Sequence, residues 1–277
     1  MTRLPEPFSE LSPETLAGWL EAVARLAVEA GERIMAVYRS DFTVTTKDDQ
    51  SPLTQADLAA HRHLAAGLAA LTPDLPLLSE EDADIPYATR RQWTRYWLVD
   101  PLDGTKEFVR HNGDFTVNVA LIERGAPVLG VIHAPVHGVS YAAAEGLGAW
   151  RWHGDGSRAP IRTRAVPTRP TFAVSKSHRD AALDAFLAKA PAHDAVSRGS
   201  SLKFCQIAEG SADLYPRTGP TSEWDTGAGQ CIVEQAGGLV LRTPELTPLR
   251  YNEKDSLLNP TFLVIGDPAY GWPRKLA

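Results

Sequence analysis

Two hydrophobic periods divide this chain, and the point where one replaces the other limits what it can fold into. From Leu16 to Leu71 apolar residues recur at three- and four-residue spacing, the period of amphipathic helices. From Phe115 to Trp152 the pattern becomes strand, turn, strand: FTVNVALIERG, APVLGVIHAPV, SYAAAEG and GAWRW. Ser12-Pro13-Glu14 supplies an N-cap, a first-turn proline and a first-turn acid, and Leu16, Trp19, Leu20, Val23, Leu26, Ala30, Ile34 and Val37 follow as one stripe. A second helix is expected from near Thr54, with Leu58, His61, Leu64, Leu68 and Leu71 on its apolar face and Pro73 closing it. Short buried strands are expected at 76–79 and 96–99, and Glu123-Arg124-Gly125 reads as a hairpin turn.

Beyond the Gly-, Pro- and Arg-rich stretch 154–170, strands and helices alternate. Strands are expected at 171–175, 193–197, 211–215, 239–242 and 261–265, and helices at 180–190, 201–209 and from 225. This pattern implies layers of helix and sheet. The stretch is read as the boundary between an N-terminal α+β lobe, 1–160, and a C-terminal α/β lobe, 161–277.

At 277 residues, 43% hydrophobic and 22% charged, the chain reads as globular rather than disordered. Its net charge of −6 is unevenly spread: residues 1–118 hold 19 acids against 11 bases, and residues 119–277 hold 15 against 17. That distribution argues against a nucleic-acid polymer as partner, which needs a basic face. No 18-residue apolar run predicts a membrane span, and the N-terminus lacks the basic end and apolar stretch of a signal peptide. Cys205 and Cys231 form neither a disulfide scaffold nor a CxxC pair, so a reducing cytoplasm is expected.

The chemistry concentrates in acids at element ends. Tyr96–Val99 leads into Asp100-Pro101-Leu102-Asp103-Gly104-Thr105, where a proline-led turn is expected to bring Asp103 round beside Asp100. Two carboxylates three apart at a strand end suit one or two metal ions, and the amides of Gly104 and Thr105 suit a phosphate. An ordinary tight turn is the alternative, since Asp, Pro and Gly are common turn residues. Glu80-Glu81 also follows a strand, with a solvated acidic turn as its alternative. Asp225 opens a helix, where it could serve only as a cap. Asp57 lies three after Thr54, and capping could be its whole role. Oxygen ligands favour magnesium, and the histidines show no zinc spacing. The acids at 100 and 103 are one residue too far apart for the Asp-x-Asp nucleophile of haloacid-dehalogenase-type phosphatases, and no GxxxxGK[ST] segment occurs.

The ordered set Asp57, Glu80-Glu81, Asp100-Pro101-Leu102-Asp103-Gly104-Thr105 and Trp224-Asp225 resembles the lithium-sensitive, magnesium-dependent phosphatase superfamily that includes the inositol monophosphatases. Lys106-Glu107-Phe108, Asn112–Asn118, Gly199–Cys205 and Leu214–Arg217 are most similar to its 3'(2'),5'-bisphosphate nucleotidase branch. Gly227 departs from the alanine that relatives tend to carry. The resemblance implies a layered α-β-α-β-α sandwich and two or three Mg²⁺ per site. Glu80, Asp100 and the Leu102 carbonyl would hold one ion, and Asp100, Asp103 and Asp225 a second. Thr105 and Glu80 would orient an activated water for direct attack without a phosphoenzyme. Asp57 would support Thr105 or help hold a third ion.

Leu102, Asp103, Gly104, Thr105 and Asp225 would border the scissile phosphate. Ser175, His178, Gly199 and Lys203 would contact the nucleotide. The implied reaction is hydrolysis of 3'-phosphoadenosine 5'-phosphate to AMP and phosphate, in sulfur assimilation and nucleotide recycling. An inositol-monophosphate or other sugar-phosphate phosphatase with the same metal site is the alternative, and a catalytically silent nucleotide or metal sensor is a further one. The implied partner is a small phosphorylated nucleotide, with no obligatory protein partner, in a monomer or homodimer. Some members of the superfamily sit peripherally on the inner face of the cell membrane, a second location beside the cytoplasm.

Overall fold

Ser12 begins the first helix as expected: its hydroxyl accepts the Thr15 N–H at 3.2 Å, with Pro13 in the first turn. The structure, a computed structural model, describes residues 11–40, 52–175 and 180–272. Helices α1 (Pro13–Tyr38) and α2 (Pro52–Leu71) pack together through Leu20, Val23, Ala27 and Ile34 of one and Ala60, Leu64 and Leu68 of the other. Burying a leucine such as Leu64 completely contributes about 1.5–3 kcal/mol.

The chain then lays down β1 (Leu77–Ser79), the short helix α3 (Tyr87–Arg90), β2 (Arg95–Asp103), the short helix α4 (Thr105–Val109), β3 (Thr116–Glu123), β4 (Ala126–Ala134), β5 (Val139–Ala144), β6 (Gly148–His153) and β7 (Arg158–Ile161). These strands form one seven-stranded sheet in sequence order. Only the β1–β2 pair is parallel. Arg124 and Gly125 both adopt positive φ, 49° and 74°, in the expected β3–β4 hairpin turn. Part of the expected boundary stretch is strand: Arg158–Ile161 pairs with β6 and completes the sheet.

The second half continues with β8 (Thr171–Ser175), α5 (Ala181–Lys189), β9 (Asp194–Arg198), α6 (Leu202–Ala208), β10 (Leu214–Arg217), α7 (Gly227–Gln235), β11 (Leu239–Arg242), β12 (Thr247–Pro248) and β13 (Phe262–Ile265). They give a six-stranded sheet in the order β12-β11-β13-β10-β8-β9. β10 starts later than expected because Asp213 is tied elsewhere, accepting from Arg164 and from the Thr171 N–H at 2.7 Å. The helix expected from 225 is a 3-10 turn, Glu223–Asp225, followed by α7.

Five layers result. Helices α1 and α2 cover one face of the first sheet, and α6 and α7 lie between the two sheets. Phe186 and Leu187 of α5 pack on the outer face of the second sheet with Phe172, Leu214 and Trp272. The alternation of β2 and β3 serves both faces of the first sheet. Trp97, Val99, Val119 and Leu121 meet α1 and α2, while Tyr96, Leu98, Ala120 and Ile122 join Phe204, Ile232 and Val264 in the central core. Among the described residues no helix is long and apolar enough to cross a membrane.

The central layer depends on close approach at Gly130. A Cβ there would lie 2.5 Å from the Ala228 carbonyl oxygen and 2.9 Å from the Cys231 Cβ. Gly130→Val should therefore cost about 1–3 kcal/mol or more. Gly18→Ala, on the exposed face of α1 with nothing among the described residues within 4 Å, should stabilise by about 0.5–1 kcal/mol. Urea denaturation of both variants checks the pair, and equal effects would refute the packing account.

Candidate metal and phosphate site

Asp100 and Asp103 have opposite parity, so an uninterrupted strand would send their side chains to opposite faces. The chain does not make the expected turn. β2 runs on to Asp103 and carries a bulge: Asp100 pairs with Asn118 and Asp103 with Thr116, leaving one extra residue on β2. The bulge reverses the phase. Leu102 packs with the α1/α2 core, away from Leu98, and Asp103 comes to the same side as Asp100. Pro101, lacking an N–H, is tolerated at such an irregularity.

One carboxylate oxygen of each acid is held by the protein. Asp100 Oδ1 accepts the Leu102 N–H at 3.0 Å. Asp103 Oδ2 accepts from Ser200 Oγ at 2.6 Å, Ser201 Oγ at 2.5 Å and Asn118 Nδ2 at 3.4 Å. Asp225 Oδ2 accepts the Ser222 N–H at 2.8 Å, closing a capping box around its 3-10 turn. Ser200 sits at φ 53°, a left-handed conformation unusual for a residue with a side chain, and in it reaches Asp103. Asp100, Asp103 and Asp225 each offer an oxygen, all within 4.8 Å of one another.

Glu80 borders the same cavity but lies outside that group of three; its N–H donates to the Val99 carbonyl at 3.1 Å, next to Asp100 along β2. Ser79 anchors this turn through His61 Nδ1 at 2.9 Å. Asp57, on α2, is buried and does not reach the cavity wall; it lies behind Glu80 and Glu81. Its Oδ1 has no hydrogen-bond partner among the described residues.

The electrostatics follow from burial and like charge. Burial, then Glu81 and Glu80, push the Asp57 carboxyl up from 3.8 to about 8. Burial, then Glu80, Asp103, Asp225 and Asp57, hold Asp100 well above the usual aspartate range. Burial and Asp103 raise Asp225 to about 8, against the Ser222 N–H, which favours its charged form. Divalent cations relieve such repulsion, and an all-oxygen donor set with an orphaned Asp57 oxygen behind it fits magnesium.

Asp100, Asp103, Asp225 and Glu80 line a cavity of about 210 Å³. Gly104, at φ 93°, caps α4 in a left-handed conformation that glycine adopts without strain. Gly104 and Thr105 both border the cavity, as do Leu102, Ser175, Gly199 and Lys203. A Cβ at Gly199 would lie 2.5 Å from Glu107 Cγ and 2.8 Å from the Asp114 carbonyl, so the backbone there must be bare. His178 lies outside the described residues.

Lys203 is more enclosed than a surface point charge: its ammonium donates to the Ser200 carbonyl at 2.5 Å and the Arg198 carbonyl at 3.3 Å. Burial lowers its pKa to about 8, against the pull of Asp103. Sequence reasoning assigned no role to Arg217, Tyr215 or Phe262, which also line the cavity. The Leu214–Arg217 segment was the visible signal for Tyr215 and Arg217; Phe262 had none. Arg217 is positioned by donating to the carbonyls of Gly219 at 3.2 Å and Pro220 at 2.8 Å.

Comparison with known proteins agrees with this geometry. The inositol monophosphatase family profile matches residues 16–262. The 3'(2'),5'-bisphosphate nucleotidase CysQ of Escherichia coli (strain K12) is 50% identical over 247 residues, 88% of this chain and 98% of that protein. The protein of that name from Salmonella typhimurium is 51% identical over 247 residues, with the same 88% and 98% coverage. The crystal structure of CysQ from Bacteroides thetaiotaomicron, a bacterial member of the inositol monophosphatase family, has a TM-score of 0.83 at 39% identity, covering 90% of this chain and 97% of that one. With its fold, its acid set and nearly its whole length accounted for, the chain belongs to the inositol monophosphatase family.

Proposed function

We propose that this chain is a Mg²⁺-dependent phosphatase that removes the 3'-phosphate of 3'-phosphoadenosine 5'-phosphate, leaving AMP and phosphate, in sulfur assimilation and nucleotide recycling. The observation that carries the reading is the convergence of Asp100, Asp103 and Asp225 within 4.8 Å in a cavity that also holds Lys203 and Arg217. Acids that gather cations beside basic side chains suit a small ligand with more than one phosphate. The nucleotidase names of relatives about 50% identical support the choice of nucleotide.

Glu80, Asp100 and the Leu102 carbonyl would hold one Mg²⁺, and Asp100, Asp103 and Asp225 a second; Asp57 supports Thr105 or a third. Bound there, the ions supply Lewis acidity to the phosphate and lower the pKa of water. Thr105 and Glu80 orient the attacking water, and the N–H groups of Gly104 and Thr105 hold phosphate oxygens, in a pocket also bordered by Leu102, Asp103 and Asp225. Phosphoryl transfer is direct to water, with no phosphoenzyme. Lys203 adds positive charge and holds the 198–200 backbone, hence the serines on Asp103. Ser175, His178 and Gly199 contact the nucleotide. In this scheme residues 1–160 carry most metal ligands, and 161–277 supply Asp225 and the nucleotide contacts.

Three measurements test the proposal. With Mg²⁺, phosphate release should be faster from 3'-phosphoadenosine 5'-phosphate than from inositol 1-phosphate or fructose 1,6-bisphosphate, and Li⁺ should inhibit it; preference for either sugar phosphate would replace the nucleotide reading. Asp100→Asn should lower turnover by more than about 100-fold without lowering the melting temperature, because it removes a ligand and also a buried repulsion. Unchanged turnover would remove the metal account.

The third is pH dependence. Asp57 and Asp225 are raised from 3.8 to about 8, so between those values the metal-free folded state binds more protons than the unfolded chain. Their contribution to stability therefore falls as pH rises through that window, and Mg²⁺ should offset the fall most at its upper end. Thermal melts from about pH 5 to about pH 8, with EDTA and with Mg²⁺, check this; a Mg²⁺ effect that shrinks as pH rises would contradict it.

A further inference from the structure

Arg90, the last residue of α3, is buried, and its guanidinium is directed to one loop of the second half, residues 251–259. Nη1 donates to Asn252 Oδ1 at 2.6 Å, and Nη2 donates to the Asp255 carbonyl. Asn252 replies through Nδ2, which donates to the Arg90 carbonyl at 2.6 Å. The reciprocal pair fixes which way the Asn252 amide faces. Tyr87, three residues before Arg90, donates its hydroxyl to the Glu253 carbonyl at 2.7 Å, and the guanidinium lies 4.9 Å from its ring centroid.

Asn252 is held at φ 57°, a left-handed conformation. In it the Asn252 N–H donates to Glu223 Oε2 at 2.9 Å. Glu223 is buried and opens the 3-10 turn that ends in Asp225. The loop grips that turn at further points: the Leu257 carbonyl accepts the Glu223 N–H at 2.9 Å, and the Tyr251 hydroxyl donates to Thr226 Oγ1 at 3.2 Å. Of the three converging acids, Asp225 is the one from the second half of the chain. The path Arg90–Asn252–Glu223 thus ties its turn to the segment that leads into β2, the strand of Asp100 and Asp103. A guanidinium withdrawn from water gives up a partner only at high cost, so the anchor is stiff.

We infer that Arg90 is a positioning residue for Asp225, an assignment that rests on the cation-binding reading of the three acids. It locks Asn252 in the conformation whose N–H holds Glu223, and so sets the turn that presents Asp225. Position 252 separates this role from a need for left-handed backbone alone. Glycine adopts φ 57° without strain but offers Arg90 nothing. Aspartate tolerates the conformation and keeps an acceptor for Nη1.

Both measurements use the full chain without substrate. In the first, Mn²⁺, which takes the same oxygen ligands as Mg²⁺, is titrated and the free ion read by electron paramagnetic resonance. Asn252→Gly should weaken binding by about tenfold or more, and Asn252→Asp should restore it. Arg90→Lys should weaken it too, and the double variant Arg90→Lys/Asn252→Gly should bind no more weakly than Arg90→Lys alone, because one path carries both effects. Tyr141→Phe, which removes a hydrogen bond outside this path, should leave binding unchanged. Wild-type affinity in Asn252→Gly, or additive losses in the double variant, would overturn the inference.

The second measurement is hydrogen exchange in EDTA, read by mass spectrometry. The Asp225 and Thr226 amides, bonded to the carbonyls of Ser222 and Glu223, should exchange faster in Asn252→Gly, with a larger gain than in β3 and β4. No gain, or one no larger than in those strands, marks at most a general loss of stability and also overturns the inference. A wild-type protein that binds no Mn²⁺ removes the cation reading instead, and exchange then decides whether Arg90 holds the turn.

Discussion

Carboxylates confined together are what the rest of the structure is arranged around. Two unit charges about 4.8 Å apart repel by about 3 kcal/mol at an effective dielectric of 20, and here several such pairs coincide with burial. That repulsion opposes folding, so the acids can converge only where stronger local geometry holds them. The bulge in β2 holds Asp100 and Asp103, hydrogen bonds from Ser200, Ser201 and Asn118 fix Asp103, and a capped 3-10 turn presents Asp225. The same repulsion makes the site receptive to divalent cations.

The supporting structure is correspondingly rigid. β2 lies inside the first sheet, buried on both faces, and the turn bearing Asp225 leads directly into α7 at the centre of the molecule. The Asp225 turn is clamped from a distant segment: Asn259 Nδ2 donates to the Ser222 carbonyl at 2.7 Å and to Thr226 Oγ1 at 3.0 Å, bridging both ends. Gly227 fits this tight seam, since a Cβ there would lie 3.0 Å from Leu98 Cδ2 and 3.2 Å from the Ala120 Cβ. Its effect is on packing against the sheet as well as on the freedom of the helix start. Lys203 shows how a charge can serve position: buried in α6, it ties together the carbonyls of the loop that braces Asp103.

Much of this is legible in the amino-acid sequence. The stripe on α1 and α2, the hairpin at Arg124-Gly125 and the alternation of the second half depend on neighbours within a few residues, so the chain displays them openly. The converging acids were legible as residues at element ends. The bulge was not, because β2 reads as a short strand followed by turn residues, and only pairing with β3 carries it past Pro101 to Asp103. The roles of Ser200, Ser201 and Asn118 were equally hidden: Asn118 meets Asp103 from the neighbouring strand β3, the serines meet it from a loop nearly a hundred residues on, and nothing local marks a serine as a brace.

Periodicity and composition alone thus mark the long helices and most of the strands, the acids available for cations, and the half that carries the excess negative charge. Those properties follow from short-range periodicity and composition. Tertiary structure alone decided that Asp100 and Asp103 share a face, that Asp225 joins them, and that Lys203 turns toward a backbone loop. The reason is physical: side-chain direction in a strand depends on register with its partner, and convergence depends on packing between segments more than a hundred residues apart.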